Sequence, residues 1–338
     1  MLNHTILDWT TMFNRSLNKM IKEALQHCSY KCDIITSRSD ILKAGAVIFH
    51  STDVKLYDLP EERQRLHNQV YVFLNRESPH HVSIAIAMLT PKFFNLTMTY
   101  RVDSDFYYGY GRLQRITKLS DPKKIWTWEK VQRIIKMKTK SVLQFVSHCS
   151  TPSLREVYVE ELKNYINVTV FGSCNSNPCR NKCEENAIAE HRFYLAFENS
   201  VCRDYATEKL FDRMAQLLIP IVLKKSIYRH FLPDGSYIAA DDFSSPKALA
   251  DYLSIVEKNI TEYMKIGNNF RYFEWTQNYI TSTIGSYGLP AINSMCELCK
   301  LLHKGMRQSR AVDFGDWWYA QGMCQQDYAH LLINGFHE

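Results

Sequence analysis

The chain has 338 residues, 46% of them hydrophobic and 22% charged, with a formal net charge of +6 at neutral pH. That length suits two domains of ordinary size, and that composition excludes extensive disorder. The basic surplus is too mild to argue for nucleic acid, and no nucleic-acid-binding motif accompanies it, but it suits an anionic small-molecule ligand.

Ten cysteines and the Asn-x-Ser/Thr sequons at Asn3, Asn14, Asn95, Asn167 and Asn259 point to a secretory compartment. No apolar run reaches the ~18 residues of a membrane span, and the first twenty residues do not read as a signal peptide. The longest apolar runs, 84–89 and 217–223, have the length of core strands. In chain order, 46–50 and 71–74 read as short buried strands, with a polar helix over 60–69 between them. Residues 94–101 alternate as a strand. Residues 123–140 form a basic stretch with Trp126, Trp128, Val131, Ile134 and Ile135 at roughly helical spacing. It reads as an amphipathic linker helix with a solvated basic face, the alternative being a contact with acidic glycans or membrane headgroups.

From residue 141 the pattern becomes regular: strand 142–146, helix 154–165, strand 168–171, a cysteine-rich loop, strand 194–197, helix 208–217, strand 219–223. Such alternation predicts a parallel sheet with helices on both faces and a ligand beyond the carboxyl ends of the strands. The fold class is therefore α/β, with two Rossmann-like domains facing a cleft. The boundary is expected near 120–140, giving an N-terminal domain over 1–130 and a C-terminal domain over 131–338.

The run Phe193-Tyr194-Leu195-Ala196-Phe197-Glu198-Asn199-Ser200 is followed by Asp204-Tyr205-Ala206-Thr207-Glu208-Lys209. It reads as buried strand, polar turn, and helix capped by Thr207, a geometry that aims backbone N–H groups at an anion. Lys209 in the first helical turn makes sense beside a phosphate. The string closely resembles the donor-binding motif of the α1,3-fucosyltransferases, glycosyltransferase family 10. A second block agrees, Phe73-Leu74-Asn75-Arg76-Glu77-Ser78-Pro79, with Tyr100-Arg101, Asp103-Ser104-Asp105 and Tyr110-Gly111 after it. A third block runs from Pro220 to Leu223, then Leu232-Pro233-Asp234-Gly235-Ser236-Tyr237-Ile238 and Asp242-Phe243. The resemblance extends in order from about Ile6 to about Lys300, and invertebrate members are the most similar in kind.

The resemblance implies an inverting enzyme that moves L-fucose from GDP-β-L-fucose to the 3-hydroxyl of a GlcNAc-type residue, forming an α1,3 linkage on a Lewis-type antenna. Transfer to the chitobiose core of an N-glycan and a non-catalytic glycan-binding paralogue are the alternatives. It implies an acceptor-side N-terminal domain and a GDP-fucose-binding C-terminal domain, whose last helix returns toward the N-terminal domain. Such chemistry needs a carboxylate to take the acceptor proton and cations on the departing diphosphate. Glu77 is the expected base. Arg155 and Lys209 are expected on the diphosphate, Glu208 on ribose or fucose hydroxyls, Tyr205 hydrogen bonding or stacking near the nucleotide, and Glu198 and Asn199 holding the sugar or shaping the turn. Asp103 and Asp105 resemble a metal-binding Asp-x-Asp, but their place in the acceptor-side string favours a loop role. No metal site and no essential cofactor are expected, although Mn²⁺ stimulation is open. Cys28, Cys32, Cys296 and Cys299, read by spacing alone, suit a zinc site or disulfides. The resemblance implies two disulfides that tie the chain ends. The expected partners are GDP-fucose and a glycan on a glycoprotein or glycolipid, with no nucleic acid. Glycans are expected at Asn95, Asn167 and Asn259. The resemblance also implies a type II protein of the Golgi lumen, held to the membrane by an N-terminal anchor that this sequence does not contain.

Overall fold

In the computed structural model of the chain, residues 4–61, 63, 65–258, 272–283, 289–305 and 313–335 are described. The chain falls into two compact units. The first comprises Met1–Tyr110, Cys202–Asp204 and Ile284–Cys324, and the second Gly111–Val201, Tyr205–Thr283 and Gln325–Glu338.

The first unit holds six parallel strands: β1 (Thr5–Asp8), β2 (Asp33–Ile35), β3 (Ala46–His50), β4 (Val70–Asn75), β5 (Leu96–Thr99) and β6 (Phe106–Tyr107). Their order is β2-β1-β3-β4-β5-β6. Central strands β3 and β4 are buried at every residue, as expected of parallel strands covered on both faces. On one face, helix Asn18–Gln26 contributes Met20, Ile21, Ala24 and Leu25 to the core. Helix Leu289–Lys304 adds Met295, Leu298, Cys299 and Leu302, the i, i+3, i+4, i+7 stripe of an amphipathic helix. Disulfides Cys28–Cys296 and Cys32–Cys299 fasten that helix to the segment leading into β2, each across more than 260 residues of chain. An aromatic cluster of Phe49, Phe73, Phe93, Phe94, Phe314 and Trp318 packs largely edge to face.

The second unit opens with β7 (Gly111–Arg115) and holds a five-stranded parallel sheet made of β8 (Lys140–Phe145), β9 (Val168–Phe171), β10 (His191–Leu195), β11 (Ile219–Val222) and β12 (Ile238–Ala239). Its order is β12-β11-β10-β8-β9, and β13 (Tyr279–Thr283) pairs antiparallel with β7. The basic stretch forms helix Trp128–Met137, capped by Thr127. Val131 and Ile135 are buried, and Lys130, Arg133 and Lys136 are exposed. Further disulfides join Cys149 to Cys174 and Cys179 to Cys183 in this unit, and Cys202 to Cys324 in the first.

Two expected elements differ. Among the described residues of 60–69 there is no α-helix. Gln69 instead lies inside, its Nε2 donating to the carbonyls of Ile41 and Ala44 at 2.7 and 2.8 Å. The apolar run 84–89 is not a strand. Ser83 caps a single helical turn, Ile84–Ala87, by accepting the Ala85 N–H, and Ile84 and Met88 point outward. A local cap won there over apolar content.

Candidate active site

In the second unit, the polar residues at the carboxyl ends of β8 and β10 lace two loops together. Leu154 takes a left-handed φ of 52° and turns the chain into helix Arg155–Leu162. Ser153 Oγ donates to the Glu198 carbonyl at 2.7 Å, and the Ser153 N–H to the Asn199 carbonyl at 3.0 Å. The buried Arg155 guanidinium donates to the carbonyls of Phe197 at 2.6 Å and His148 at 3.3 Å. Burial lowers its pKa, though a guanidinium stays protonated. Its Nε and the Oδ1 of Asn199 are buried without a hydrogen-bond partner among the described residues. Tyr205 is fully buried beside them.

The helix that follows, Glu208–Ala215, is capped by Thr207 as its sequence requires. Its first anion is internal: Glu198 accepts the Thr207 N–H at 2.7 Å and the Thr207 hydroxyl at 2.9 Å. Lys209 Nζ completes the cluster, reaching Glu198 Oε2 at 3.2 Å, Thr207 Oγ1 at 3.0 Å and Glu208 Oε1 at 3.4 Å. Burial alone would lower the Lys209 pKa, but Glu198 and Glu208 outweigh it and hold the ammonium above the usual lysine range. Burial pushes Glu198 up against the pull of Lys209. Burial also pushes Glu208 upward, yet Lys209 keeps it below the usual carboxylate range. Glu208 is the most exposed member of the set, at 48%. Behind this helix, a Cβ on Gly111 would lie 2.5 Å from the Phe211 ring, so only glycine lets β7 pass that close.

The first unit takes in the middle of the same loop. Asp204 has a φ of 61°, and its Oδ2 accepts the Val102 N–H at 3.2 Å. Arg203 lies 3.5 Å from Asp103, and Cys202 is bonded to Cys324. Asp103 accepts from Arg101 Nε and Nη2 at 2.9 and 2.7 Å and from the Trp317 indole N–H at 3.3 Å. Although burial pushes its carboxyl up, the two arginines hold it below its ordinary value. Asp105 instead accepts the N–H and hydroxyl of Thr97, both at 2.8 Å. The two aspartates thus take different partners, Asp103 the two arginines and the Trp317 indole and Asp105 the strand residue Thr97.

Glu77 follows β4. The fully buried Asn75 clasps its backbone from both sides, with Asn75 Nδ2 donating to the Glu77 carbonyl at 2.8 Å and the Glu77 N–H donating to Asn75 Oδ1 at 2.9 Å. Tyr110 Oη reaches the Arg76 carbonyl at 3.1 Å and Glu77 Oε1 at 3.4 Å. Arg76 stacks its guanidinium over Tyr108 and Tyr110. The Glu77 side chain itself is half-buried.

Two family models cover most of the chain. "Fucosyltransferase, N-terminal" matches residues 2–111, and "Glycosyltransferase family 10 (fucosyltransferase) C-term" matches 135–318. The chain belongs to glycosyltransferase family 10. "Alpha-(1,3)-fucosyltransferase C" of Drosophila melanogaster is 34% identical over 93% of this chain and 77% of its own length. "Alpha-(1,3)-fucosyltransferase fut-1" of Caenorhabditis elegans is 31% identical over 90% of this chain and 68% of its own. A crystal structure of an alpha1,3-fucosyltransferase superimposes with a TM-score of 0.55 at 16% identity, covering 90% of each chain. The likeness places the fold in the GT-B class, and family membership makes the chain a fucosyltransferase.

In this family-10 chain the sequence pattern singled out Glu77, Arg155 and Lys209 without their supports. Asn75, two residues before Glu77 in the same string, was legible as a polar residue closing an apolar strand. Glu198, expected to hold the sugar or to shape the turn, has its carboxylate bonded to Thr207 and Lys209. Arg203 carried no signal, because its partner Asp103 is distant in sequence. Among the expected glycan sites, Asn167 is exposed. Asn95 is half-buried, its Oδ1 accepting the Tyr71 N–H at 2.8 Å and a bond from Arg65. Asn259 lies outside the described residues, as does Asn3.

Proposed function

We propose that this family-10 member is an inverting α1,3-fucosyltransferase. It transfers L-fucose from GDP-β-L-fucose to the 3-hydroxyl of a GlcNAc-type residue on a Lewis-type antenna. The observation that carries the reading is Glu77, a half-buried carboxylate at the carboxyl end of a central parallel strand, with its backbone fixed by Asn75. Ligands of open α/β sheets bind at that edge.

Glu77 takes the proton of the attacking hydroxyl as the new C–O bond forms, and the bond from the anomeric carbon to the diphosphate breaks on the opposite side of the sugar. Charge growing on the departing GDP is met by Lys209, which Glu198 and Thr207 hold in place before the donor arrives. A diphosphate oxygen replaces the exposed Glu208 carboxylate as the third acceptor of Lys209, and Glu208 turns to ribose or fucose hydroxyls. Arg155 adds positive charge from behind the β10 loop, and Tyr205 and Asn199 shape the nucleotide side. No step is assigned to Asp103 or Asp105, whose oxygens already serve Arg101, Arg203 and Thr97.

Five disulfides support an oxidising compartment, in keeping with the Golgi lumen. Among the described residues no helix is long and apolar enough to cross a membrane. The test is an acceptor array with GDP-fucose and linkage analysis of the product. Transfer to O3 of an antennary GlcNAc is expected. Product formed only on the chitobiose core would overturn the acceptor assignment.

A further inference from the structure

The positive charge of this chain is concentrated in one stretch. Residues 112–140 carry ten of the 41 lysines and arginines and two of the 35 acids. That stretch is therefore +8 and the rest of the chain −2. Elsewhere surface lysines are commonly paired: Lys19, Lys43, Lys163, Lys182, Lys247 and Lys300 each meet an acid three or four residues away. Among the described residues, no lysine or arginine from Arg112 to Lys136 has an acidic partner, and all of them are exposed.

Two parts of the second unit present these cations. A groove of about 570 Å³ beside β7 is lined by Arg112, Arg115 and Lys124. Its one acid, Asp121, already accepts the Lys123 N–H at 2.9 Å. The tight turn Pro122–Lys124 then leads toward helix Trp128–Met137. On that helix Lys130, Arg133 and Lys136 recur every third residue, opposite the buried Val131 and Ile135. They stand about 4.5 Å apart along the helix axis. Like charges gathered so closely repel one another. A linear polyanion relieves that repulsion, and its own condensed counterions are released as it binds.

The setting narrows which polyanion fits. Five disulfides favour a luminal site, where nucleic acid is absent, and anionic lipids concentrate in the cytoplasmic leaflet instead. Protein interfaces are poor in lysine and centre on apolar residues. Here the exposed large apolar side chains are only Leu119 and Met137 among the described residues of the stretch. We infer that residues 112–136 form a docking surface for a polyanionic glycan, a sugar chain with sulfate or carboxylate groups in series. Lysine and arginine hold such groups through charge-assisted hydrogen bonds. The choice of a glycan rests on the luminal reading above, and no step of the proposed transfer is assigned to this surface.

The experiment measures binding of a size-defined heparin fragment to the intact protein by calorimetry as salt is raised. Affinity should fall steeply, with log K linear in log salt. A neutral dextran of the same length should not bind. A hyaluronan fragment, which carries carboxylates alone, tells the two anionic groups apart. The variant Lys123→Gln/Lys124→Gln/Lys130→Gln/Arg133→Gln should lose about tenfold or more in affinity. Its salt slope should fall by about one for each contact removed. Its thermal melt, and its kcat and KM on a small neutral acceptor, should stay near wild type. The variant Lys19→Gln/Lys43→Gln/Lys182→Gln/Lys247→Gln removes the same charge from other exposed sites and should bind heparin as the wild type does. Equal losses in the two variants would show net charge alone at work and overturn the inference. So would heparin binding that ignores salt, and so would phosphatidylserine vesicles or polyglutamate bound more tightly than heparin at equal charge. The luminal reading fails separately. It falls if the ten cysteines titrate as free thiols in protein taken from its cells, whereas the docking surface stands or falls on the binding measurements.

Discussion

Glu77 and Glu198 both follow the carboxyl end of a parallel strand, and their surroundings differ sharply. Glu198 is 3% exposed and receives three bonds, from the Thr207 N–H, the Thr207 hydroxyl and Lys209. At Glu77 it is the backbone that is clasped, while the half-buried carboxylate has a 3.4 Å contact with Tyr110. A carboxylate enclosed in that way organises a lysine. One fixed at its backbone, with its carboxylate half-buried beside Tyr110, suits the proposed role of taking a substrate proton. The cluster around Lys209 is thus assembled before any ligand arrives, whereas at Glu77 it is the backbone that is fixed.

The largest expected effect on activity comes from breaking the assembled cluster. Lys209→Ala leaves Glu198 buried without its cation, so a loss of about 3–5 kcal/mol of stability is expected along with loss of measurable transfer. Thermal melts and GDP calorimetry check both. A variant with wild-type melting and rate would show that the cluster does neither job.

A second effect concerns the frame around Glu77. Cys28–Cys296 and Cys32–Cys299 close nearly the same long loop. Removing both should cost about 5–6 kcal/mol in the chain-entropy model, and removing either alone much less. Denaturant melts of the Cys28→Ser/Cys296→Ser protein and of the variant lacking both bridges measure this. Additive losses would contradict it.

The smallest effect is in pH dependence. Burial pushes His50 down to about 4. Between about 4 and 6.5 the unfolded chain then binds the extra proton, so the His50 contribution rises with pH and is lost on acidification. Asp8, pushed up to about 6, acts in the opposite sense, because its folded state binds the extra proton between about 4 and 6. Each shift is worth roughly 3 kcal/mol. His50→Gln should flatten acid destabilisation, and Asp8→Asn should steepen it. Unchanged slopes of stability against pH from 4 to 6.5 would contradict both.

The sequence carried the elements whose signals are local. Strands β3, β4, β8, β10 and β11 stand out as short apolar runs, and Thr207 caps its helix at the expected residue. The Glu77 string ends a strand, as its change from apolar to polar residues suggests. What it did not carry depends on distant partners. Lys209 looked ready for a phosphate because Glu198, eleven residues earlier, lies across a loop whose closure is tertiary. Arg101 bonds the carbonyl of Trp317 across 216 residues, so its burial has no local sign. The same holds for Cys202–Asp204, three residues of the donor-type loop that belong to the first unit. The runs 60–69 and 84–89 were misjudged because side-chain bonds from Gln69 and Ser83 set their conformation, and these outweigh average hydrophobicity.

The division of labour between the two carboxylates is tested most directly by Glu77→Gln, with donor affinity by calorimetry beside kcat at saturating acceptor. The amide keeps the shape and cannot take the proton. General-base assistance of about 10²–10⁴-fold should vanish from kcat, roughly 3–5 kcal/mol of barrier, while GDP-fucose affinity stays near wild type. A Glu77→Gln enzyme that keeps more than about a tenth of the wild-type kcat, or one that loses donor binding in step with rate, would contradict it.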